Sequence, residues 1–353
     1  MTHLEMLDAT RLGREAVQLE NSMRRKIVGQ DEAVGGIVNV YQTFLAGMCS
    51  PGRPAGTFLF LGPTGSGKTR TVEALAESLA GDARAVIKID CAEYQHGHEI
   101  AKLVGSPPGY LGHRETQPLL SQQALDRYHT PSLKLSFVLF DEIEKGSDAL
   151  WKLLLGILDK GSLTLGDNRA VDFSRSMIFM TSNLGALEMS SLLRPGFGFN
   201  REQPRVDEKL GEKLARAGTE AARRRFTPEF MNRIDRLVTF KALGGTELRQ
   251  VLGMELEIVQ GRVAAALGAS RVELTVTERA RDFLLDEGTD QRYGARHLKR
   301  AVERLVVHPL SNLIATGQIH ESDTIIADLQ RDERRLMFQR VADEPASVLS
   351  IAA

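Results

Sequence analysis

Gly62-Pro63-Thr64-Gly65-Ser66-Gly67-Lys68-Thr69 gathers glycines, a lysine and a hydroxyl into one short stretch. Glycines at this spacing let successive backbone N–H groups turn inward around an anion. Lys68 brings a point charge to the outer phosphates of a nucleoside triphosphate, and the Thr69 hydroxyl is a ligand for Mg²⁺. A second cluster is acidic. Asp141 and Glu142 close the apolar run Phe137-Val138-Leu139-Phe140, where the first carboxylate suits the metal shell and the second suits polarising an attacking water. Together the two clusters imply binding and hydrolysis of ATP or GTP. Taken singly, each has a plainer description. The first is then a glycine-rich turn before an ordinary helix, and the second caps a helix opened by Ile143-Glu144-Lys145.

Both clusters need a frame, and the flanking residues supply one. The loop follows the apolar run Thr57-Phe58-Leu59-Phe60-Leu61 and precedes the helix-like Val72-Glu73-Ala74-Leu75-Ala76, giving strand, loop and helix in order. Further apolar runs at Ala85–Ile89, Phe137–Phe140 and Ser176–Thr181 read as buried parallel strands separated by helical stretches. The fold class is therefore α/β, a parallel sheet with crossover helices. Ligands of such sheets bind at the carboxyl ends of the strands, where both clusters fall. Upstream, Leu12, Ala16, Leu19 and Met23 make an apolar stripe on an N-terminal helix within residues 1–26 that packs against the body. Val28-Gly29-Gln30-Asp31 leads into a helix toward Leu45, which Pro51-Gly52-Arg53-Pro54 ends. After Phe240 the pattern turns helical, for example over 249–266 and 278–286, with strand-like exceptions at Val272–Val276 and Thr324–Ala327. The expected organisation is an N-terminal helix (1–26), a large α/β ATPase domain (27–240), a smaller mostly α domain (241–330) and a solvated tail (331–353). No internal repeat is visible.

Composition narrows the function classes. The chain has 353 residues, 42% apolar and 26% charged, which suits two or three globular domains. Lys and Arg number 45 against 46 acidic residues, so no global basic field is available to hold nucleic acid or an anionic membrane. The two cysteines, Cys49 and Cys91, lack metal-ligand spacing and are expected to pack as small apolar groups in a reducing compartment. The N-terminus lacks a basic region followed by an apolar core, and no apolar run reaches membrane-spanning length, so the expected location is the cytoplasm.

The order of Val28-Gly29-Gln30, the phosphate loop, Gly105-Ser106-Pro107-Pro108-Gly109-Tyr110-Leu111-Gly112, Asp141-Glu142, Thr181-Ser182-Asn183, Phe230-Met231-Asn232-Arg233-Ile234-Asp235 and Tyr293-Gly294-Ala295-Arg296 is shared with a known family. It resembles the second ATPase module of the Clp/Hsp100 AAA+ unfoldases, of ClpB, ClpC and ClpA type, over roughly residues 25–330. The resemblance implies an AAA+ P-loop fold with a small C-terminal domain of Clp D2 type. It assigns ATP and Mg²⁺ as cofactors, Ile27 and Val28 to the adenine pocket, and Gly62 to Thr69 to the phosphates, with Thr69 and Asp141 at the metal. It makes Glu142 the catalytic base, Asn183 the first sensor and Arg296 the second sensor, acting within one chain. Arg233 matches the arginine finger that reaches a neighbour's nucleotide, a cation worth about 10³–10⁵ in rate in P-loop NTPases. A turn-forming Asn183, and surface ion pairs for the two arginines, are the plainer readings.

Tyr110 and Leu111 match the pore loop with which the family grips polypeptide, and Thr164–Arg169 suits either a second pore segment or a solvated hairpin. Phe197-Gly198-Phe199 resembles the apolar-Gly-apolar loop that docks on a ClpP-like peptidase; packing of both rings under their own loop is the alternative. Departures from the family pattern are His113 after the pore glycine, Pro118 in place of a glycine-rich stretch, and His297 where proline is usual. The implied function is an ATP hydrolase, a homohexameric single ring that threads unfolded or tagged proteins through a central pore. Alternatives are a subunit feeding a ClpP-like peptidase and a nucleotide-switched assembly or scaffold factor, the latter disfavoured by the presence of Glu142. A DNA-remodelling role is disfavoured by net charge and by the aromatic pore loop.

Overall fold

The computed structural model describes residues 6–106, 117–193, 208–268, 272–289, 294–330 and 334–341. The chain divides into two compact units, Met1–Ala242 and Leu243–Ala353.

The first unit is built on strands β1 (Gly56–Leu61), β2 (Ile87–Asp90), β3 (Ser136–Asp141), β4 (Ser162–Thr164), β5 (Ala170–Asp172), β6 (Ser176–Ser182) and β7 (Arg236–Thr239). Five of them form one parallel sheet in the order β2-β3-β6-β1-β7. Register pairs Asp90 with Asp141, and Leu61 with both Ser182 and Thr239, so the carboxyl ends of all five strands share one edge. β1 and β6 are buried along their whole length and β3 is buried up to Asp141, as expected where helices cover both faces. Side chains alternate between the faces with period two. Phe58, Phe60, Phe179 and Phe240 pack on one side with helices Arg14–Lys26, Asp31–Leu45 and Lys68–Ala80. The Phe58 and Phe179 rings stack there with centroids 4.9 Å apart. Leu59, Leu61, Phe140, Ile178 and Met180 pack on the other side with helices Asp148–Lys160 and Glu208–Arg225.

The apolar stripe Ala16, Leu19 and Met23 is buried, and Ser22 Oγ donates to Ser78 Oγ at 2.8 Å, which joins the first helix to the one behind the phosphate loop. β7 went unread in the sequence. Its four residues, Arg236-Leu237-Val238-Thr239, are too few for a periodic signal, and they become a strand because β1 offers them a parallel edge. Ala85 and Val86, read as strand, are buried in the core just ahead of β2.

The second unit combines helices Gly245–Ala266, Glu278–Gly288, Ala295–Val302 and His308–Ala315 with a small sheet. Its strands are β8 (Glu273–Val276), β9 (Thr324–Leu329) and β10 (Leu336–Val341), with β9 parallel to β8 and antiparallel to β10. β10 corrects the expectation of a solvated tail from 331 onward. Leu336 and Phe338 are partly buried against the unit's core, and the Gln330 N–H donates to Arg335 O at 2.9 Å where the chain turns back. The charge-rich Arg331–Arg335 hid a return strand that exists only by pairing with β9.

Candidate nucleotide site

The phosphate loop leaves β1 through Gly62 (φ +146°), where a Cβ would stand 2.5 Å from Phe240 O, so no side chain fits. Gly65 (φ +77°) and Gly67 (φ +99°) take the left-handed region that glycine enters without steric cost, and Gly67 caps helix Lys68–Ala80. The loop thus opens onto the amino end of a helix, where unpaired N–H groups and the helix dipole both favour an anion. Lys68, only 7% exposed, donates from Nζ to Gly62 O (2.8 Å), Pro63 O (2.9 Å) and Asn183 Oδ1 (3.0 Å). Ser66 Oγ closes the turn on Pro63 O at 2.8 Å.

The carboxylates arrive from β3 at the same edge. Thr69 Oγ1 lies 3.5 and 3.4 Å from the two oxygens of Asp141, whose Oδ1 also accepts from Thr181 Oγ1. Glu142 is one of few described non-glycine residues at positive φ (55°), a strain on the order of 1–3 kcal/mol that needs external support. Support comes from three sides. Its N–H donates to Thr181 Oγ1 (3.0 Å), its Oε1 accepts from Asn183 Nδ2 (3.1 Å), and its Oε2 pairs with Lys145. The hydrogen bond to Glu142 holds the Lys145 ammonium above its usual pKa. Asn183 therefore bridges Lys68 to Glu142 with its own amide, which a residue serving only to form a turn would not do. Its N–H is held in turn by Glu144 Oε1 at 3.0 Å.

Several supporting residues were given no role of their own by the sequence reading. Gln30 is 5% exposed; its amide donates to Ser66 O (3.0 Å) and Lys241 O (2.9 Å) and accepts from the Lys241 N–H (3.2 Å). The segment holding buried Ile27 and half-buried Val28 is thereby clamped to the phosphate loop. Thr181 stood in the quoted Thr181-Ser182-Asn183 motif, and Glu144 and Lys145 in the Ile143-Glu144-Lys145 helix opening, each without an assigned task. Cys91 is buried at the end of β2, and burial first, then the charges of Asp141 and Asp90, pushes its thiol pKa strongly up.

Arg233 is elsewhere. Its carbonyl accepts from Thr57 Oγ1 (2.9 Å) and Arg53 Nη2 (3.3 Å), at the amino-terminal end of β1. The phosphate loop begins five residues on, about 16 Å along the strand. Its guanidinium pairs with Asp159 at 2.8 Å, on the last turn of helix Asp148–Lys160. Arg296 belongs to the second unit. It is exposed on helix Ala295–Val302 and lines a basin of about 520 Å³ with Lys299, Arg300, Glu303, Arg304 and His308. Tyr110, Leu111, His113 and Phe197-Gly198-Phe199 lie outside the described residues. Thr164–Arg169 turns an antiparallel hairpin between β4 and β5. Its Gly166 N–H donates to Val104 O at 2.8 Å, and a Cβ there would meet Gly105 O at 2.6 Å, so the hairpin tip is pinned just before the segment with Tyr110.

The donor set suits a nucleotide with a divalent cation. A hydroxyl and a carboxylate on facing elements are what Mg²⁺ takes when phosphate oxygens and waters complete its shell. Among the described residues there is no group of three or more His, Cys, Asp or Glu that could hold a metal ion.

Comparison with known proteins agrees with this geometry. Residues 53–237 match the family model described as AAA domain (Cdc48 subfamily), and residues 243–327 match the C-terminal, D2-small domain, of ClpB protein. The chain belongs to the AAA family of ATPases. It is 39% identical over 309 residues to chaperone protein ClpB of Bdellovibrio bacteriovorus, covering 88% of this chain and 33% of that protein. With the ATP-dependent Clp protease ATP-binding subunit ClpC of Staphylococcus aureus it shares 36% identity over 312 residues, 88% of this chain and 36% of that one. A cryo-EM reconstruction of Hsp104 in a closed state, with ATPγS and FITC casein, superposes with a TM-score of 0.76 at 28% identity, covering 92% of this chain and 52% of that chain. The chain thus spans about a third of the length of the ClpB and ClpC proteins it matches. Nucleotide binding follows for the module. No described helix is long and apolar enough to cross a membrane.

Proposed function

We propose that this chain hydrolyses MgATP as part of a ring, a homohexamer, and uses the resulting motions to thread unfolded or tagged polypeptides through a central pore in the cytoplasm. One observation carries the ring. Arg233 stands at the amino-terminal edge of the sheet while the phosphate loop and both carboxylates stand at the carboxyl-terminal edge, so a single chain does not bring this cation to its own nucleotide. The edge-to-edge arrangement is completed when Arg233 of one copy faces the loop of the next, a heterologous contact that forms a ring where the rotation between copies closes.

Within the site the division of labour follows from the contacts. Backbone N–H groups of Gly65 to Lys68 and the Lys68 ammonium bind the phosphates, with Ile27 and Val28 beside the base. Thr69 and Asp141 would hold Mg²⁺, which would supply charge neutralisation at the phosphate oxygens. Glu142 accepts the proton of the attacking water, and the Asn183 amide keeps that carboxylate and Lys68 in register. Arg296, on the second unit, keeps the second-sensor role that the family resemblance gives it.

Polypeptide as the substrate rests on the likeness to chaperones and to a protease subunit, and on the Tyr110-Leu111 motif. Delivery to a ClpP-like peptidase through Phe197-Gly198-Phe199 is the finer reading, favoured by the ClpC relative. A scaffold switched by nucleotide would not need Glu142 braced at strained backbone by Asn183, Thr181 and Lys145. The deciding experiment is unfolding of a tagged fluorescent protein, with ATP against ADP, and with or without ClpP. Loss of fluorescence with ATP alone is expected. An ATPase rate per subunit that stays flat as concentration rises would refute the ring.

A further inference from the structure

We propose that Asp159 is a positioning residue that holds the Arg233 guanidinium in the orientation it needs to meet the nucleotide of the adjoining subunit. The inference rests on the reading of Arg233 as a cation acting between chains, and it assigns a task to a carboxylate that neither the motifs nor the phosphate site uses. Four observations converge on it.

Asp159 breaks a local rule. It occupies the last turn of helix Asp148–Lys160, where the helix dipole disfavours an anion and a cation is the expected resident. Its carboxylate is offset by Arg233, at 2.8 Å. Next, the root of the arginine is already immobile. Arg233 O accepts from Thr57 Oγ1 and Arg53 Nη2, and its N–H donates to Phe230 O at 3.1 Å. Asp235 takes both the N–H (2.9 Å) and the hydroxyl (2.7 Å) of Thr57. Arg53 also donates from Nε to Leu158 O at 3.4 Å, tying this turn to the helix end that carries Asp159. The backbone thus sets where the side chain starts, and Asp159 sets where it goes.

The geometry of the pair leaves the arginine usable. Asp159 is joined to Nη1, which leaves the remaining N–H groups of the planar fork to approach a phosphate. Finally, the pair contributes little as a stabilising feature. Its members are 36% and 41% exposed, in the range where surface ion pairs add almost nothing to stability. What such a pair does supply is rotamer order. A long arginine free in solvent samples many rotamers, and one held by a carboxylate meets its target already oriented.

The test uses the intact chain at concentrations where rings form. Asp159→Asn should lower ATPase kcat about tenfold to a hundredfold, the upper end being what a misplacement of about an ångström costs, with KM within about twofold. The melting temperature should stay within about 2 °C of wild type. Asp159→Glu should recover most of the rate. Adding Asp159→Asn to Arg233→Ala should cost nothing further, since both changes remove one function. The decisive readout is mixing. Rings of Asp159→Asn chains with Glu142→Gln chains should regain rate per Asp159→Asn chain, because the Glu142→Gln neighbour presents a well-held Arg233. An unchanged rate in Asp159→Asn alongside a slow Arg233→Ala would overturn the role of Asp159 and leave the Arg233 reading standing. A wild-type rate in Arg233→Ala would take down both. A slow Asp159→Asn that mixing does not rescue, or one that no longer assembles by sedimentation, would make the pair structural and also overturn the proposal.

Discussion

The two edges of the large sheet are built by different means. At the carboxyl edge, the phosphate loop satisfies itself: glycine conformations, backbone carbonyls on Lys68 and the Asn183 amide bring the loop, its lysine and Asn183 together. At the amino edge, Arg233 has a rigid backbone and a half-exposed side chain resting on one carboxylate. On the proposed ring, the carboxyl edge of one chain holds the nucleotide and the Asp159-paired cation at the amino edge serves turnover in the neighbour. Binding and turnover should accordingly respond to different residues.

Substitutions that separate the two edges test this. The largest effect belongs to Arg233→Ala, which should lower steady-state ATPase by about 10³ or more while a fluorescent-nucleotide titration shows affinity within a few-fold. Lost affinity would erase the distinction between the edges. Glu142→Gln should lower turnover by about 10²–10⁴, again with binding preserved, because the Asp141 and Thr69 metal ligands remain. Wild-type turnover there would remove Glu142 from the base role. Thr181→Val removes the hydroxyl that donates to Asp141 and receives the Glu142 N–H, so turnover should fall about tenfold through loss of the support for strained Glu142. A crystal structure of that variant should show Glu142 rotated from Asn183. The smallest effect compares the cysteines. Cys91 lies at the carboxyl edge with its thiol pKa pushed far up by burial, so it stays protonated at pH 8 and should label only on unfolding. Cys49 touches Ala55 just before β1, with a thiol raised less by partial burial, and should label slowly in the native protein. Equal labelling rates would mean that the carboxyl edge opens readily.

The elements that carried the site were legible because each is local. Apolar β1 and β3 and the glycine spacing of the loop need no distant partner to be recognised, so Lys68, Thr69, Asp141 and Glu142 could be named with their edge of the sheet. Weak or bipartite elements were not. β7 and β10 exist only through pairing with β1 and β9, and Gln30 gains its purpose from Ser66 and Lys241, the latter 211 positions away. Nothing in the sequence singled out Asp159; only the fold set Arg233 against it.

By itself, then, the sequence determined the chemistry: a triphosphate loop with a metal-binding and a water-activating carboxylate, because glycine conformations and charge spacing along a few residues dictate what they hold. The tertiary structure alone decided which groups share one edge of the sheet and which stand at the other. Parallel strands put all their carboxyl ends on one side, so a residue entering β7 at its amino end is carried to the far edge of the sheet from the loop. No spacing in the chain encodes that separation, because it comes from the register of strands that are distant in sequence.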